Sequence, residues 1–442
     1  MNFFDLYKIT IPALTLIERQ RWSEKKAFQF LLKKNRNNPS LRLSYLIIVE
    51  TLKRLNAIDG VLQRTFPERE KEAFPPDVLN FLRVFVYWTK FRGNLDQAGK
   101  MAREARLYLG SNKLMPFELG LGQIASFRLG DLYDSRGESE KLAFTLFHPQ
   151  WFIEYCIRQL GRDFALKYLA SNLQQLPLHI RVNTLLGKED TVTKRLEREG
   201  VALEKIDSLK YVYTVKNYQK NPATLKLHKK GYFQIQDKAS CYAVWALHPN
   251  SREDILDICA APGGKTGYIA QLMRNQGNVY SLDYSLERIR IWRKQVTRQG
   301  VKNSEPILCD CTRPLPFNKQ FDAVLLDPPC SGTGVLMKNP SMKWRLSPLS
   351  FQRFHDLQLD LLHQCAEFIK KGGRLIYSTC SITVEENEKV IEDFLPHHPD
   401  YDIVEIDTPT GGPGLRGFGD CLRLYPHVDG CNGYFIAKLK KD

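Results

Sequence analysis

Apolar residues change their spacing twice along this 442-residue chain. Over residues 1–140 they recur every three to four positions, which lines them up on one face of a helix. Leu43, Leu46, Ile47, Val49 and Leu52 predict a helix over 41–55; Leu79, Leu82, Phe85, Val86 and Trp88 predict another over 78–91. Pro75-Pro76-Asp77 supplies a start for the second. Segments 97–109 and 117–132 continue the series, and short connections between them predict a helical bundle. Phe147-His148-Pro149 breaks the pattern. Beyond it the chain reads as helical over 150–175, a strand over 179–185, a charged helix over 190–199, and a mixed stretch to 233. From residue 253, short apolar runs bounded by Gly or Pro alternate with helix-spaced segments. Strands are predicted at 255–259, 278–283, 306–310, 321–327 and 374–378, and helices at 265–275, 286–299, 348–370 and 384–394. Two last strands, 402–406 and 433–439, have no helix between them, so one is expected to run antiparallel at an edge. This alternation predicts a doubly wound α/β domain with helices on both faces. Three regions are therefore expected: an all-α region at 1–145, a small α+β linker domain at 146–240, and an α/β domain at 241–442.

Charge narrows the partners. Lys and Arg total 64 against 49 Asp and Glu, a net charge of +15. That surplus suits a polyanion such as nucleic acid, although a merely basic protein shows the same balance. Basic residues recur along the helical region at Lys33, Lys34, Arg36, Lys90, Arg92, Lys100, Arg103 and Arg106. A solvated helix face accounts for these equally well. Between 203 and 233, Lys205, Lys210, Lys216, Lys220, Lys226, Lys229 and Lys230 interleave with Tyr211, Tyr213, Tyr218, Tyr232 and Phe233. Cations neutralise phosphates and aromatic faces stack on unpaired bases, so RNA contact is expected here. Ten cysteines lack the spacing of a secreted disulfide framework, and no run approaches the roughly 20 apolar residues of a membrane span. A reducing, cytoplasmic compartment and no membrane are expected. Cys309 and Cys311 form a close pair without further partners, so no metal is expected.

Two stretches carry the candidate chemistry. Asp327 to Gly334 reads DPPCSGTG and Tyr377 to Ser381 reads YSTCS, each placing a cysteine just past a predicted strand. A lone cysteine there is usually packing. The flanks change that reading. Pro328 and Pro329 remove two backbone donors and fix two φ angles. Ser331-Gly332-Thr333-Gly334 then permits close backbone approach. Ligands of open parallel sheets bind outside the carboxyl ends of the strands. Cys330 and Cys380 could thus face one pocket, one as nucleophile and the other handling a proton. A third stretch, Cys259-Ala260-Ala261-Pro262-Gly263-Gly264-Lys265, has small residues where a ligand could touch the main chain at a helix start. It matches neither GxxxxGK[ST] nor GxGxxG, so the ligand need not carry a pyrophosphate. Asp283 is placed to meet ribose hydroxyls, Asp310 a base-ring amine, and Asp327 ends the fourth strand. One such Asp is usually a turn residue; four strand ends in register favour a nucleoside-binding crevice.

AAPGGKT, DPPCSGTG and YSTCS, in this order and spacing, are similar to the RNA cytosine-5 methyltransferases that use S-adenosylmethionine, over roughly residues 250–395. The N-terminal helices, with Gly120-Leu121-Gly122, resemble the NusB-like domain of the Fmu/RsmB type, which methylates a cytosine of bacterial small-subunit (16S) ribosomal RNA. The resemblance implies a Rossmann-like class I methyltransferase domain preceded by a NusB-like domain and an RNA-binding linker domain. It implies that Cys259, Ala260, Ala261, Pro262, Gly263, Gly264 and Lys265 line the methionine part of the cofactor. Asp283 then binds the ribose, Asp310 lies by the adenine, and Asp327 sits between cofactor and target base. Cys380 matches the family's nucleophile and Cys330 the cysteine that helps release product. Arg181-Val182-Asn183 resembles a short motif of the RNA-binding linker domain. Cys309-Asp310-Cys311-Thr312 departs from the pattern, since many relatives carry Gly beside the Asp. DNA cytosine-5 methyltransferases attack from a Pro-Cys, so the rival assignment gives the attack to Cys330; the Thr-Cys-Ser setting of Cys380 favours the RNA assignment. The implied partner is RNA, ribosomal RNA first and transfer RNA second, met by a monomer. A non-catalytic RNA-binding assembly factor on the same fold would be expected to lose a cysteine or the glycine loop, and neither is lost.

Overall fold

The computed structural model describes residues 2–35, 38–134 and 136–442; Arg36 lies outside them. Contacts divide the chain into two units, Met1–Gln174 with Leu336–Arg345, and Gln175–Val335 with Leu346–Asp442.

The first unit is helical. Its Phe3–Arg19 helix is capped by Asn2, whose side chain accepts from the Asp5 amide. Phe3, Leu6, Tyr7, Ile9 and Leu14 are buried against the Leu41–Lys53, Pro76–Val86 and Ala98–Leu109 helices. The expected 78–91 helix is α-helical only to Val86 and closes as a π-turn at Tyr87–Phe91. The Gln150–Leu160 and Arg162–Ser171 helices belong to this unit because the first packs on the Glu138–Leu146 helix. The contact boundary of this unit thus falls at Gln174.

Leu336–Arg345, remote in the chain from the first helices, is built into the helical unit. Lys343 is buried and donates to the carbonyls of Lys53 (2.8 Å) and Phe147. Trp344 Nε1 donates to Leu52 O (2.7 Å), and Arg345 Nη2 to Ile17 O (2.7 Å) and Trp22 O (2.9 Å). Burial, with the nearby charges of Lys53 and Arg54, holds the Lys343 pKa well below the ordinary lysine value.

His148 lies fully buried in the same unit. Its Nδ1 faces Leu146 O at 2.6 Å and its Nε2 faces Asn172 Nδ2 at 3.3 Å, which suits a neutral ring with the proton on Nδ1. Burial first, and the Lys343 charge second, push its pKa well below the usual value of 6.5. The unfolded chain therefore takes up a proton that the folded chain refuses. Stability is expected to fall as pH drops below 6.5, by up to about 1.4 kcal/mol per pH unit until the folded value is reached. Urea unfolding at pH 8 and pH 5.5 measures this, and His148→Gln should remove part of the difference.

The second unit holds two sheets. The smaller contains β1 (Leu178–Val182), β2 (Val201–Lys205), β3 (Val212–Tyr218) and β4 (Phe233–Ile235) in the order β2-β3-β1-β4, all antiparallel. Ile180, Val182, Val201 and Phe233 form its core with Val192 and Leu196 of the Glu189–Arg198 helix. The larger sheet contains β5 (Asp254–Ile258), β6 (Asn278–Asp283), β7 (Ser304–Leu308), β8 (Phe321–Leu326), β9 (Ile369–Thr379), β10 (Tyr401–Ile403), β11 (Gly412–Pro413), β12 (Leu422–Leu424) and β13 (Tyr434–Lys441). Its order is β11-β12-β13-β9-β8-β5-β6-β7, with β10 beside β13. The five strands β5 to β9 are parallel. The expected antiparallel strand is β13, which pairs β9; β12 and β11 extend the sheet beyond it.

Successive side chains of a strand point to opposite faces. Ile255, Ala323, Leu325 and Ile376 pack with the Lys238–Leu247 and Gly264–Leu272 helices. Leu256, Ile258, Val324, Leu326, Leu375 and Tyr377 pack with the Pro348–Ala366 and Glu388–Phe394 helices. Covering both faces explains why the strands read as unbroken apolar runs. The Lys238–Leu247 helix escapes a periodicity reading because it is buried nearly all round. The chain lays β6 and β7 on one side of β5, then returns to place β8 on the other. The switch between β5 and β8 opens a crevice at their carboxyl ends.

Candidate active site

At that switch, the segment after β5 turns back through two left-handed residues. Cys259 has φ 62° and Gly263 φ 98°. The second is a glycine because L side chains rarely adopt that angle, and a Cβ there would also meet Val296 at 2.9 Å. The turn delivers Gly264 and Lys265 to the start of the Gly264–Leu272 helix, whose first amide hydrogens have no acceptor within the helix. Below it, Asp257 is buried. Its Oδ2 accepts from Thr266 Oγ1 (2.6 Å), while its Oδ1 has no partner among the described residues. Burial pushes its pKa up to about 7, against the Thr266 hydrogen bond.

Asp283 ends β6 and closes the loop. Its carboxylate accepts from the amides of Ala261 (3.2 Å) and Ser285 (3.1 Å) and lies 3.3 Å from Arg288 Nη2. Asp310 lies two residues past β7 and is more open; hydrogen bonds from the Thr312 hydroxyl and amide hold its carboxyl below the usual range. Asp327 follows β8. It accepts from Lys265 Nζ at 2.6 Å, Tyr434 OH at 2.9 Å and Ser378 Oγ at 3.4 Å. Burial opposes the Lys265 ammonium, but Asp327 and Tyr434 outweigh it and hold its pKa above the ordinary value. The sequence reading missed Tyr434. It lies far along the chain and reaches this acid only because β13 runs antiparallel to β9, which brings the start of one strand beside the end of the other.

The two cysteines meet. Cys330 Sγ lies 3.1 Å from Cys380 Sγ, and both are half-buried. The Cys380 hydrogen bond first, then burial, raise the Cys330 pKa well above the usual thiol value. Either sulfur can act as donor to the other across this contact. The backbones are tied too. Gly334 N donates to Cys380 O (2.9 Å), and Gly433 N to Gly334 O (2.8 Å). A Cβ on Gly334 would meet Gly433 O at 2.1 Å, so only glycine fits.

Glu386 is the second residue the sequence reading missed. It is fully buried and accepts from Ser331 N (2.7 Å), Gln358 Nε2 (3.1 Å), Ser381 Oγ (2.7 Å) and Thr383 Oγ1 (2.8 Å). Ser331 follows Cys330 and Ser381 follows Cys380, so one carboxylate clamps both cysteine segments. Asn387 and Glu388 extend the frame. Thr379 Oγ1 donates to Asn387 Oδ1 (2.6 Å), and buried Arg423 Nε donates to Glu388 Oε1 (2.6 Å). The expected 384–394 helix begins only at Glu388 because residues 384–387 are spent on this frame. The signal in sequence was a polar run, Glu385-Glu386-Asn387-Glu388, ahead of an apolar helix; it reads equally well as a solvated helix start.

The linker expectations change. Arg181 and Asn183 are buried, not offered to a ligand. Arg181 donates to Gln236, Gln271 and Gln299, and Asn183 Nδ2 to Gly231 O (2.8 Å) and Gln299 O (2.7 Å). They tie the small sheet to the helices of the large one. Tyr213 and Phe233 are core residues, leaving Tyr218 as the exposed aromatic of its strand. Among the described residues no group of three or more His, Cys, Asp and Glu is arranged to hold a metal, and no helix is long and apolar enough to cross a membrane.

Residues 244–440 match the family described as 16S rRNA methyltransferase RsmB/F, and residues 148–218 match an RsmF/B-like ferredoxin-like domain. The chain is 30% identical to the probable ribosomal RNA small subunit methyltransferase B of Coxiella burnetii, over 67% of this chain and 68% of that protein. It is 29% identical to the probable ribosomal RNA small subunit methyltransferase B of Bacillus subtilis, over 98% of both. Among solved structures, PH0851 superposes with a TM-score of 0.85 over 99% of both chains at 29% identity. A methyltransferase homolog protein from Pyrococcus horikoshii superposes with a TM-score of 0.63 at 31% identity, covering 69% of this chain and 99% of its own.

Proposed function

Because this chain belongs to the RsmB/F family of methyltransferases, we propose that it methylates carbon 5 of a cytosine in small-subunit ribosomal RNA, through a covalent cysteine–cytosine adduct and with S-adenosylmethionine as donor. The observation that carries the reading is the 3.1 Å approach of the Cys330 and Cys380 sulfurs beside Asp327, at the switch of a parallel sheet.

The crevice suits the cofactor in its donor set. The helix-start amides at Gly264 and Lys265 can meet a carboxylate, and the unpartnered Asp257 Oδ1 and the Asp283 and Asp310 carboxylates can meet amino and hydroxyl groups. Cys259, Ala260, Ala261 and Pro262 complete the turn that shapes it. When bound, S-adenosylmethionine supplies an electrophilic methyl group. Carbon 5 of neutral cytosine is a poor nucleophile. The Cys380 thiolate adds to carbon 6, and the ring electrons that this frees make carbon 5 enamine-like, ready to take the methyl group. A base then removes the carbon 5 proton, and the carbon 6–sulfur bond breaks to return the thiolate. Cys330, whose sulfur lies 3.1 Å from that of Cys380, is the group placed to serve this release step. Asp327, paired with Lys265 and hydrogen-bonded by Tyr434, faces the ring as charge develops. The target base must leave its helix to reach such a pocket, which is cheapest where it is unpaired.

The division into residues 1–145, 146–240 and 241–442 is kept as a proposal about evolutionary modules, and a monomer working in the cytoplasm as one about its setting. The test is tritiated methyl transfer from S-adenosylmethionine to unmodified small-subunit ribosomal RNA and to transfer RNA, followed by mapping of the methylated cytosine. Label at one cytosine of the ribosomal RNA is expected. Label in transfer RNA alone would move the substrate, and none in either would return the protein to the class of non-catalytic RNA-binding factors.

A further inference from the structure

We propose that the groove between the Lys226–Lys229 turn and the Leu286–Arg298 helix is a binding site for the phosphate backbone of the RNA. The inference rests on the RNA methyltransferase reading above. The groove, of about 590 Å³, is lined by Lys229, Arg290, Arg293, Lys294, Thr297 and Arg298, with no carboxylate among them. Arg290, Arg293, Lys294 and Thr297 follow one another at helical spacing of three, four and seven, so they share one exposed face.

A solvated helix face usually mixes signs, because like charges three or four apart destabilise the helix. Here Glu287, in the first turn, is the only acid of the whole helix. Among the described residues Lys229, Arg290, Arg293 and Lys294 form no ion pair, so the face carries repulsion that nothing within the helix relieves. Arg298 lies half-buried at the end of the groove. Its guanidinium donates to His228 O, Gln234 Oε1 and Gln295 Oε1, all neutral acceptors. They fix its position and leave its charge uncompensated.

The walls are held rigidly. Asn183 bridges Gly231 and Gln299, and a Cβ on Gly231 would meet Arg298 O at 1.8 Å. The groove thus exists before any ligand arrives. A row of guanidinium and ammonium groups along one helix face fits successive phosphates of a polynucleotide, and such contacts set register without reading bases.

The test uses the full chain, unmodified small-subunit ribosomal RNA and tritiated S-adenosylmethionine. R293Q/K294Q is compared with wild type and with K113Q/K370Q, which also removes two cations, both already paired, with Asp77 and Asp322. RNA binding and KM are measured against KCl concentration. For R293Q/K294Q the slope of log affinity against log salt should become shallower by about 1.4 to 1.8, from roughly 0.7 to 0.9 per lost phosphate contact, and the loss should fall on KM rather than kcat. K113Q/K370Q should keep the wild-type slope. An unchanged slope for R293Q/K294Q, an equal change in the control, or a loss confined to kcat would overturn the site. If wild type transfers no methyl group, the methyltransferase reading fails, while the binding slopes on RNA alone still decide the groove.

Discussion

Cys330→Ala is expected to leave a covalent RNA–protein adduct that survives a denaturing gel, while Cys380→Ala yields neither adduct nor methylated product. The two sulfurs lie 3.1 Å apart, so proximity cannot assign their roles; the Thr-Cys-Ser setting of Cys380 carries the assignment. The Cys380 contact first, then burial, with Glu386 and Asp327 nearby, raise the Cys330 pKa well above the usual thiol value. A thiol of raised pKa is a poor attacking group, and its place beside the Cys380 sulfur suits it to the release step. Removing it should leave attack and methyl transfer intact and stall elimination. Removing the Cys380 sulfur deletes the bond-forming atom, and kcat should fall on the order of 10⁴-fold or more, as for other covalent catalysts that lose their nucleophile. Intact-mass measurement of the adduct with labelled RNA reads both outcomes. Adduct accumulation in Cys380→Ala instead would exchange the two roles and place the attack on the Pro-Cys motif.

Glu386→Ala should cost nearly as much activity without touching the reacting atoms. Four donors converge on this buried carboxylate, two of them from the residues that follow Cys330 and Cys380. Each donor left without an acceptor costs about 1–3 kcal/mol. The two segments would then drift relative to each other, and a misplacement of about 1 Å can cost a hundredfold in rate. The expected result is a kcat lowered at least about a hundredfold, a lower melting temperature and little change in KM for RNA. Glu386→Gln keeps one carbonyl acceptor but turns an amide toward donors, so it should fall between Ala and wild type. An Ala variant with wild-type kcat would show that the cysteine segments hold themselves.

The parts legible in sequence were those set by neighbouring residues. The predicted strands at 255–259, 278–283 and 321–327 lie within a residue of β5, β6 and β8, because short apolar runs between Gly and Pro are bounded locally. Cys330 and Cys380 could be placed together because each follows a strand, and the carboxyl ends of parallel strands share one edge of the sheet. Tyr213 and Phe233 misled for the opposite reason. An aromatic residue among lysines looks solvent-facing until a second element covers it, and here the Glu189–Arg198 helix does so. Tyr434 and the burial of Leu336–Arg345 left no local mark, and the polar run that holds Glu386 reads equally well as a solvated helix start. Each depends on pairing between residues distant in the chain, which spacing alone does not encode.

By itself, the sequence determined the α/β alternation, the helical N-terminal region, the strand-end cysteines, the small-residue loop and the surplus of cations, because these follow from residue type and period. The tertiary structure alone decided how closely the two thiols approach, which carboxylate ties the two segments, and which cations stay uncompensated. Those properties belong to distances between groups far apart in the chain: a proton's hold and a charge's strength are set by what folding brings within about 3 Å and by the water it excludes.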